Sequence, residues 1–450
     1  MRRSICFLLL AALLSFSCSK DKESEETTSV ATDAQIYSVK LAGDTIHARF
    51  LQYAKFSIDQ LNGQIQNRDS LPFGTRIDSV KCGITTKGAS KTIFYPDAEN
   101  LTDSIVWNGT DSLNLSKKAR FKIIAKDGIT SKTYDIWANI YSIKADSFVW
   151  NQLSSNIVSG TIERQRTVLM PDSSMFSYIK TSAGFALYSS HINDGASWVK
   201  RELSGFPDNA TIEMMPQCNS RLYVLDAAGA LYQSAGGMEW AKMDVKDESG
   251  QACTVKALLG CLGNEIEVII GTSEGDLLGT CSPTSSSIYK GDALPEDFPV
   301  KGFASISYER DYRSRLLLVA GDNTSGTSMS TSWMKTEGQS WLKITGGYKT
   351  ISARRGAICV PYDGKLMLIG GLDDSGSKKD LYFSSDYGIN WMPVEDPSQF
   401  MPGNFAARAG ASVLTDNKDY VYIIGGEEKG KEGGKALNDV WRGRIHRLSK

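Results

Sequence analysis

Apolar positions in this chain come in short runs that recur in pairs. "SYIKTSAGFALYSS", "RLYVLDAAGALYQS", "EVIIGTSEGDLLGT", "LLLVAGDNTSGTSMSTSWM", "LMLIGGLDDSGSKKDLYFSS" and "VYIIGGEEKGKEGGKALNDVWRG" each join an apolar run to a second run through a glycine-containing turn. Continuous apolar runs this short predict strands buried on both faces, and the turns fold each pair into a hairpin. The region from about residue 32 to 144 has a different texture. There "ARFKIIAKDGITSKTYDIWANIYSI" alternates apolar and polar positions on both sides of a Lys-Asp-Gly turn, and "DSVKCGITT" and "DSIVWNGTDSL" add short strands. Alternation predicts strands with one face buried. No helical period longer than the first apolar run is present, so the chain is predicted to be all-β, with two parts.

A second pattern sets the period of the hairpins. Glycine and tryptophan three apart recur as "NDGASW", "SAGGMEW", "KTEGQSW" and "SDYGINW", and their tryptophans, Trp198, Trp240, Trp341 and Trp391, are spaced by 42, 101 and 50 residues. The long gap is about two periods, so one copy has lost its tryptophan, and "SSIYKGDALPEDF" with Gly291 is assigned to that slot. Hairpins repeating at such a period are the signature of propeller blades, and six hairpins predict six blades over residues 146–447. A ring must also cover its last strand edge. The sixth hairpin ends at "NDVWRGRIHRLSK" with no outer strand after it, whereas "FVWNQL", with Trp150, lies one period before the first full repeat. It is predicted to be the outer strand of the last blade, donated from the N-terminal side.

These motifs carry a resemblance. "SSDYGINW" resembles the Asp-box of sialidase-like propellers. This implies that Ser384, Asp386, Gly388 and Trp391 build a turn, with Asp386 accepting backbone N–H groups, Gly388 taking a backbone angle other residues resist and Trp391 packing between sheets. "RRGAICVPYDGKLMLIGG" and "ARAGASVLTDNKDYVYIIGG" resemble kelch repeats. That resemblance implies that Arg166, Arg355 and Arg408 start strands near the channel mouth and converge on one face. There each either pairs with a nearby acid such as Asp373 or Glu427 and ties blades together, the slightly favoured reading, or holds an anionic ligand through paired hydrogen bonds. The region 32–144 is similar to the immunoglobulin-like β-sandwich that precedes the working domain in Bacteroidetes-type surface lipoproteins.

The N-terminus changes the setting. Arg2 and Arg3 precede an apolar run from Ile5 to Leu14, too short for a bilayer. The run ends in "LSFSC", which resembles a lipobox, so residues 1–17 are expected to be a lipoprotein signal peptide and Cys18 the lipid attachment site. Residues 18–31 read as a disordered, charged tether, similar to the segment that sends such lipoproteins to the cell surface. Loss of Arg2 and Arg3 with the leader takes the formal charge from −1 to −3, which gives no reason to expect nucleic acid as a partner. Eight cysteines show no CxxC spacing and only three histidines occur, so no metal and no cofactor are expected. Cys253, Cys261 and Cys281 lie close enough in sequence for a disulfide, but buried thiols are the favoured reading. The tyrosine nucleophile, acid and arginine set of a sialidase finds no good match, "ERQRTVLMPD" standing where its first-blade motif belongs. The expectation is a non-catalytic outer-membrane lipoprotein, exposed at the surface, that binds a glycan or a protein. A sialidase-like glycoside hydrolase and a docking subunit of a surface glycan-uptake complex are the alternatives.

Overall fold

The computed structural model describes residues 31–42, 51–109, 111–345, 347–430 and 433–447. Cys18, the leader and all of the tether but residue 31 lie outside the described residues. The chain divides into two compact units, residues 1–142 and 143–450, and no α-helix occurs among the described residues.

The N-terminal unit has two sheets around one core. One has strands Ile36–Ala42, Val80–Thr86 and Ser112–Leu113. The other has six strands in the order Phe56–Asp59, Gln64–Asn67, Ser131–Trp137, Ala119–Ala125, Ala89–Tyr95 and Ile105–Val106. The strand Ala119–Ala125 buries every second residue, so Phe121 and Ile123 face the core while Lys122 does not. The predicted Lys-Asp-Gly turn holds: Asp127 accepts the backbone N–H groups of Ile129 and Thr130, and Gly128 has φ +71.

The second unit is a series of six antiparallel sheets in chain order. Sheet one runs through Arg164–Leu169, Ser174–Thr181, Gly184–His191 and Val199–Arg201. Sheet five repeats the scheme in Ile358–Tyr362, Lys365–Asp373, Gly376–Ser384 and Met392–Pro393. Sheet two begins at Ala210–Thr211 and sheet four at Ala304–Arg310. Sheet three carries an extra strand, Lys246–Asp247, parallel to its outermost strand Ser287–Ala293. Sheet six has only Ser412–Thr415, Val421–Gly430 and Gly433–Ile445 in sequence, and Phe148–Ser154 completes it from the other end of the unit.

The second strand of each sheet has a stretch of consecutive buried residues because it feeds two cores. In Arg313–Asp322, Leu316 and Leu318 pack towards sheet three, while Leu317 and Val319 pack towards sheet five. In Val421–Gly430, Val421 and Ile423 join the core shared with sheet five, and Tyr422 and Ile424 join Met175 and Ile179 of sheet one. Six clusters of this kind link successive sheets, the last linking sheet six back to sheet one. The sheets therefore form a ring, and the continuous runs read from sequence are its two-sided strands.

Two local readings need correction. Gly291 is not a turn residue: it lies within Ser287–Ala293, and the turn of sheet three is made around Ser286 with φ +51. Cys218 and Cys261 form a disulfide between sheets two and three, Cα atoms 5.4 Å apart, whereas Cys82, Cys253, Cys281 and Cys359 are free thiols. The sequence reading confined the search to three cysteines near in sequence. The ring instead brings Cys218 against Cys261 across a blade-to-blade gap, 43 residues apart.

Candidate ligand site at the centre of the ring

The first strands of the sheets lie innermost, and a cavity of about 420 Å³ opens where five of the six begin. Its walls differ in chemistry. Sheets four, five and six contribute Gly302, Gly356 and Gly410, all at φ of +64 or +65, a backbone region that favours glycine. The Gly356 N–H donates to the Gly302 carbonyl at 2.6 Å and the Gly410 N–H to the Gly356 carbonyl at 2.7 Å, tying the three sheets together. A Cβ on Gly410 would meet nothing within 4 Å, so the backbone is open there, whereas one on Gly302 or Gly356 would meet neighbouring atoms at 3.0 Å or less. Sheets one and two face it with Arg164, Arg166 and Glu213.

The charges are unevenly satisfied. Arg164 pairs with Glu213 at 2.8 Å, and Lys429 with Glu427 at 3.0 Å. Glu163, at the exposed start of sheet one, has no ion pair among the described residues. Arg355, about half exposed, reaches the buried Asp322 at 3.7 Å. Arg166 stands apart: its Nε is enclosed, and its guanidinium makes no hydrogen bond or ion pair among the described residues. Burial pushes its pKa down, with Glu213 pulling the other way, and an arginine stays charged regardless. Four bases and three acids line the cavity, and Asp322 behind Arg355 supplies the fourth acid.

The expected arginine trio is therefore only partly assembled. Arg166 and Arg355 line the cavity, but Arg408 does not. Arg408 is 2% exposed and grips Asp439 with both terminal nitrogens, at 2.7 and 3.0 Å, while donating to the Gly425 carbonyl. Arg354 makes the same set to Asp380 and the Gly370 carbonyl. The repeat partner of Arg408 is thus Arg354, and Arg355 corresponds to Ala409. Aligning "SARRGA" on "AARAGA" by its glycine, instead of by the spacing to the next strand, gives this register directly.

The motif around Asp386 behaves as its chemistry requires. Asp386 accepts the Asn390 backbone N–H at 2.9 Å, the Asn390 side-chain amide at 2.7 Å and the Ser384 hydroxyl at 2.8 Å. Gly388, at φ +92, donates its N–H to Ser384 Oγ, and Trp391 is buried between sheets four and five. These side chains hold a turn.

A smaller cavity of about 310 Å³ lies at this rim, among Tyr308, Tyr362, Tyr387, Asp363 and Asp416. Two of its acids are already engaged: Asp416 accepts two backbone N–H groups and the Tyr422 hydroxyl, and Asp363 pairs with Arg447. Elsewhere, the buried Glu267 is pushed up by burial but is held by Lys335 at 2.7 Å in the gap between sheets three and four. The central cavity holds the guanidinium of Arg166, which has no hydrogen bond or ion pair among the described residues.

A ring of sheets around a central cavity, preceded by a separate β unit, defines a two-domain all-β protein with a C-terminal β-propeller. Residues 144–449 match the family model described as the DUF6242 beta propeller domain, and residues 16–137 the DUF6242 N-terminal domain, a domain of unknown function. The chain belongs to the DUF6242 family. A comparison with curated proteins finds no match. Among solved structures, one titled "Structure of YjhT" aligns with a TM-score of 0.45 at 15% identity, over 64% of this chain and 96% of that one.

Proposed function

We propose that the protein is a non-catalytic lipoprotein of the outer membrane, acylated at Cys18 and exposed at the cell surface, whose propeller binds a glycan or protein ligand at its centre. We read the six sheets as six blades of kelch and Asp-box type, and the N-terminal unit as an immunoglobulin-like sandwich that acts as a spacer. The observation that carries the binding reading is the central cavity itself, which is built from five sheets, open along a glycine wall and lined opposite by charged side chains. Such a rigid concave site with a few convergent polar groups is the usual form of a ligand pocket. Its size suits one or two sugar rings or the end of a peptide. The acidic balance of the chain gives nucleic acid no electrostatic footing.

Two experiments test this. Cys18→Ala should move the protein out of the membrane fraction, and unchanged fractionation would remove the anchor from the proposal. Soluble protein starting near Thr27, applied to a glycan array and to surface extracts, should retain a ligand that Gly410→Asn weakens by filling the cavity. Turnover of an aryl sialoside that is abolished by a substitution in the propeller would replace the binding reading with an enzymatic one.

A further inference from the structure

We infer that the central cavity is an anion site in which Arg166 is the principal anchor and Arg355 a secondary one, and that its ligand carries a carboxylate on a body the size of one or two sugar rings. This rests on the binding reading above and makes it specific.

The argument starts from two arginines in one fold. Arg408 is buried and fully answered: a carboxylate, a carbonyl and the Ala406 carbonyl take its donors. Arg166 has an enclosed Nε, and its guanidinium makes no hydrogen bond or ion pair among the described residues. An isolated charge in a low-dielectric site is unfavourable unless it is paired. The ring could have supplied a carboxylate to Arg166, since Glu213 lies near enough to influence it, but that carboxylate is taken by Arg164 at 2.8 Å. An unanswered guanidinium facing a cavity of about 420 Å³ is a donor set awaiting an oxyanion. Its planar fork fits a carboxylate with two parallel hydrogen bonds.

Arg355 lines the same cavity from sheet five. At 3.7 Å from Asp322 it makes a long contact, outside hydrogen-bond range, so it can turn towards a ligand without leaving a buried acid bare. Ser328 already donates to Asp322 at 2.7 Å. The remaining wall carries Gly302, Gly356 and Gly410 beside apolar side chains such as Phe303 and Ile358. The body of a ligand can lie against it once its carboxylate is on Arg166.

The site predicts an unusual mutational signature. A residue that serves the fold is missed when it is removed; a partly buried charge with no partner among the described residues is not. Arg166→Met should therefore leave the melting temperature unchanged or raise it, and Arg166→Gln should behave alike. Binding should respond oppositely. With glucuronate as the probe and glucose as its neutral counterpart, calorimetry on the soluble mature protein should detect glucuronate and not glucose. Affinity should fall as salt rises and drop at least tenfold in Arg166→Gln, with a smaller loss in Arg355→Gln. Inorganic sulfate should compete with glucuronate. A strong drop in melting temperature for Arg166→Met would show that the guanidinium is structural and overturn the inference. Equal binding of glucose and glucuronate, or glucuronate binding that Arg166→Gln leaves intact, would overturn it too. The two readings separate on Gly410→Asn. A neutral ligand lost in Gly410→Asn and kept in Arg166→Gln preserves the central site and sinks the anion. A ligand indifferent to both substitutions removes the site altogether.

Discussion

Single residues of the same type take opposite roles here, and surroundings decide which. Arg354 and Arg408 are each 1% exposed at the side chain and bound to an acid through both terminal nitrogens, but Asp439 is 13% exposed and Asp380 is 38% exposed. Removing one partner of a buried charge pair costs about 3–5 kcal/mol because the other charge is stranded. Arg408→Met should approach that range in urea denaturation. Arg354→Met should lose less, since water reaches Asp380, and Arg355→Ala should also lose less than Arg408→Met, since at 3.7 Å Arg355 makes no hydrogen bond to the buried Asp322, which Ser328 already serves. Equal losses at all three positions would show that burial does not govern the pairs. Asp386 gives a pH prediction. Burial works against its ionisation, but the hydrogen bonds from Asn390 and Ser384 outweigh that and hold its pKa below the ordinary carboxylate value. Its contribution is present in full above about pH 4 and is lost as pH falls through its lower folded-state pKa. The stability gap between the protein and Asp386→Ala should therefore be constant near neutrality and shrink in acid. A gap that widens in acid would contradict the assignment. Asp386 was legible in the sequence because its partners lie within four residues of it. Arg408 was not, because its partner Asp439 is 31 residues away and only the sheet brings them together.

At the level of elements, sequence patterns served well where strands are long and poorly where they are short. The two-sided strands announce themselves, since Leu316 to Val319 can only be buried between neighbours. Sheet two is harder to read, its first and last strands being two residues each, Ala210–Thr211 and Ala241–Lys242. Sheet three lacks the tryptophan of its turn and adds a parallel strand instead. The disulfide from Cys218 to Cys261 joins these two irregular sheets. In the chain-entropy view, a bridge closing 43 residues limits the unfolded state by about 4 kcal/mol. Reduction, or Cys218→Ser with Cys261→Ser, should lower the melting temperature, and hydrogen exchange should rise first in Arg221–Asp226 and Thr254–Leu262. Unchanged exchange in those strands after reduction would mean that the cores hold the sheets together without the bridge.

For the whole propeller unit, the closing strand decides whether a ring exists. Phe148–Ser154 pairs with Gly433–Ile445, Trp150 standing opposite Gly443 and Gln152 opposite Trp441. Phe148 and Trp150 stack at 4.4 Å between ring centroids and join the core shared by sheets five and six. The start of the strand is pinned by Lys144, which pairs with Asp396 at 2.7 Å, and by the Asp146 N–H, which donates to the His446 carbonyl. The indole of Trp150 lies directly on Gly443, where a Cβ would overlap the ring. The closure can be tested by truncation and by substitution at this contact. A propeller unit starting at Ser155 loses the strand, exposes the edge of Gly433–Ile445 and opens the core around Trp441, so it should aggregate or melt well below one starting at Lys144. Gly443→Val should do the same from the other side by lifting Trp150 off its seat. Trp150→Ala should relieve that clash, so that the double variant is no worse than Trp150→Ala alone. Additive losses in the double variant, or equal melting of the two truncated chains, would show that the ring closes by other contacts.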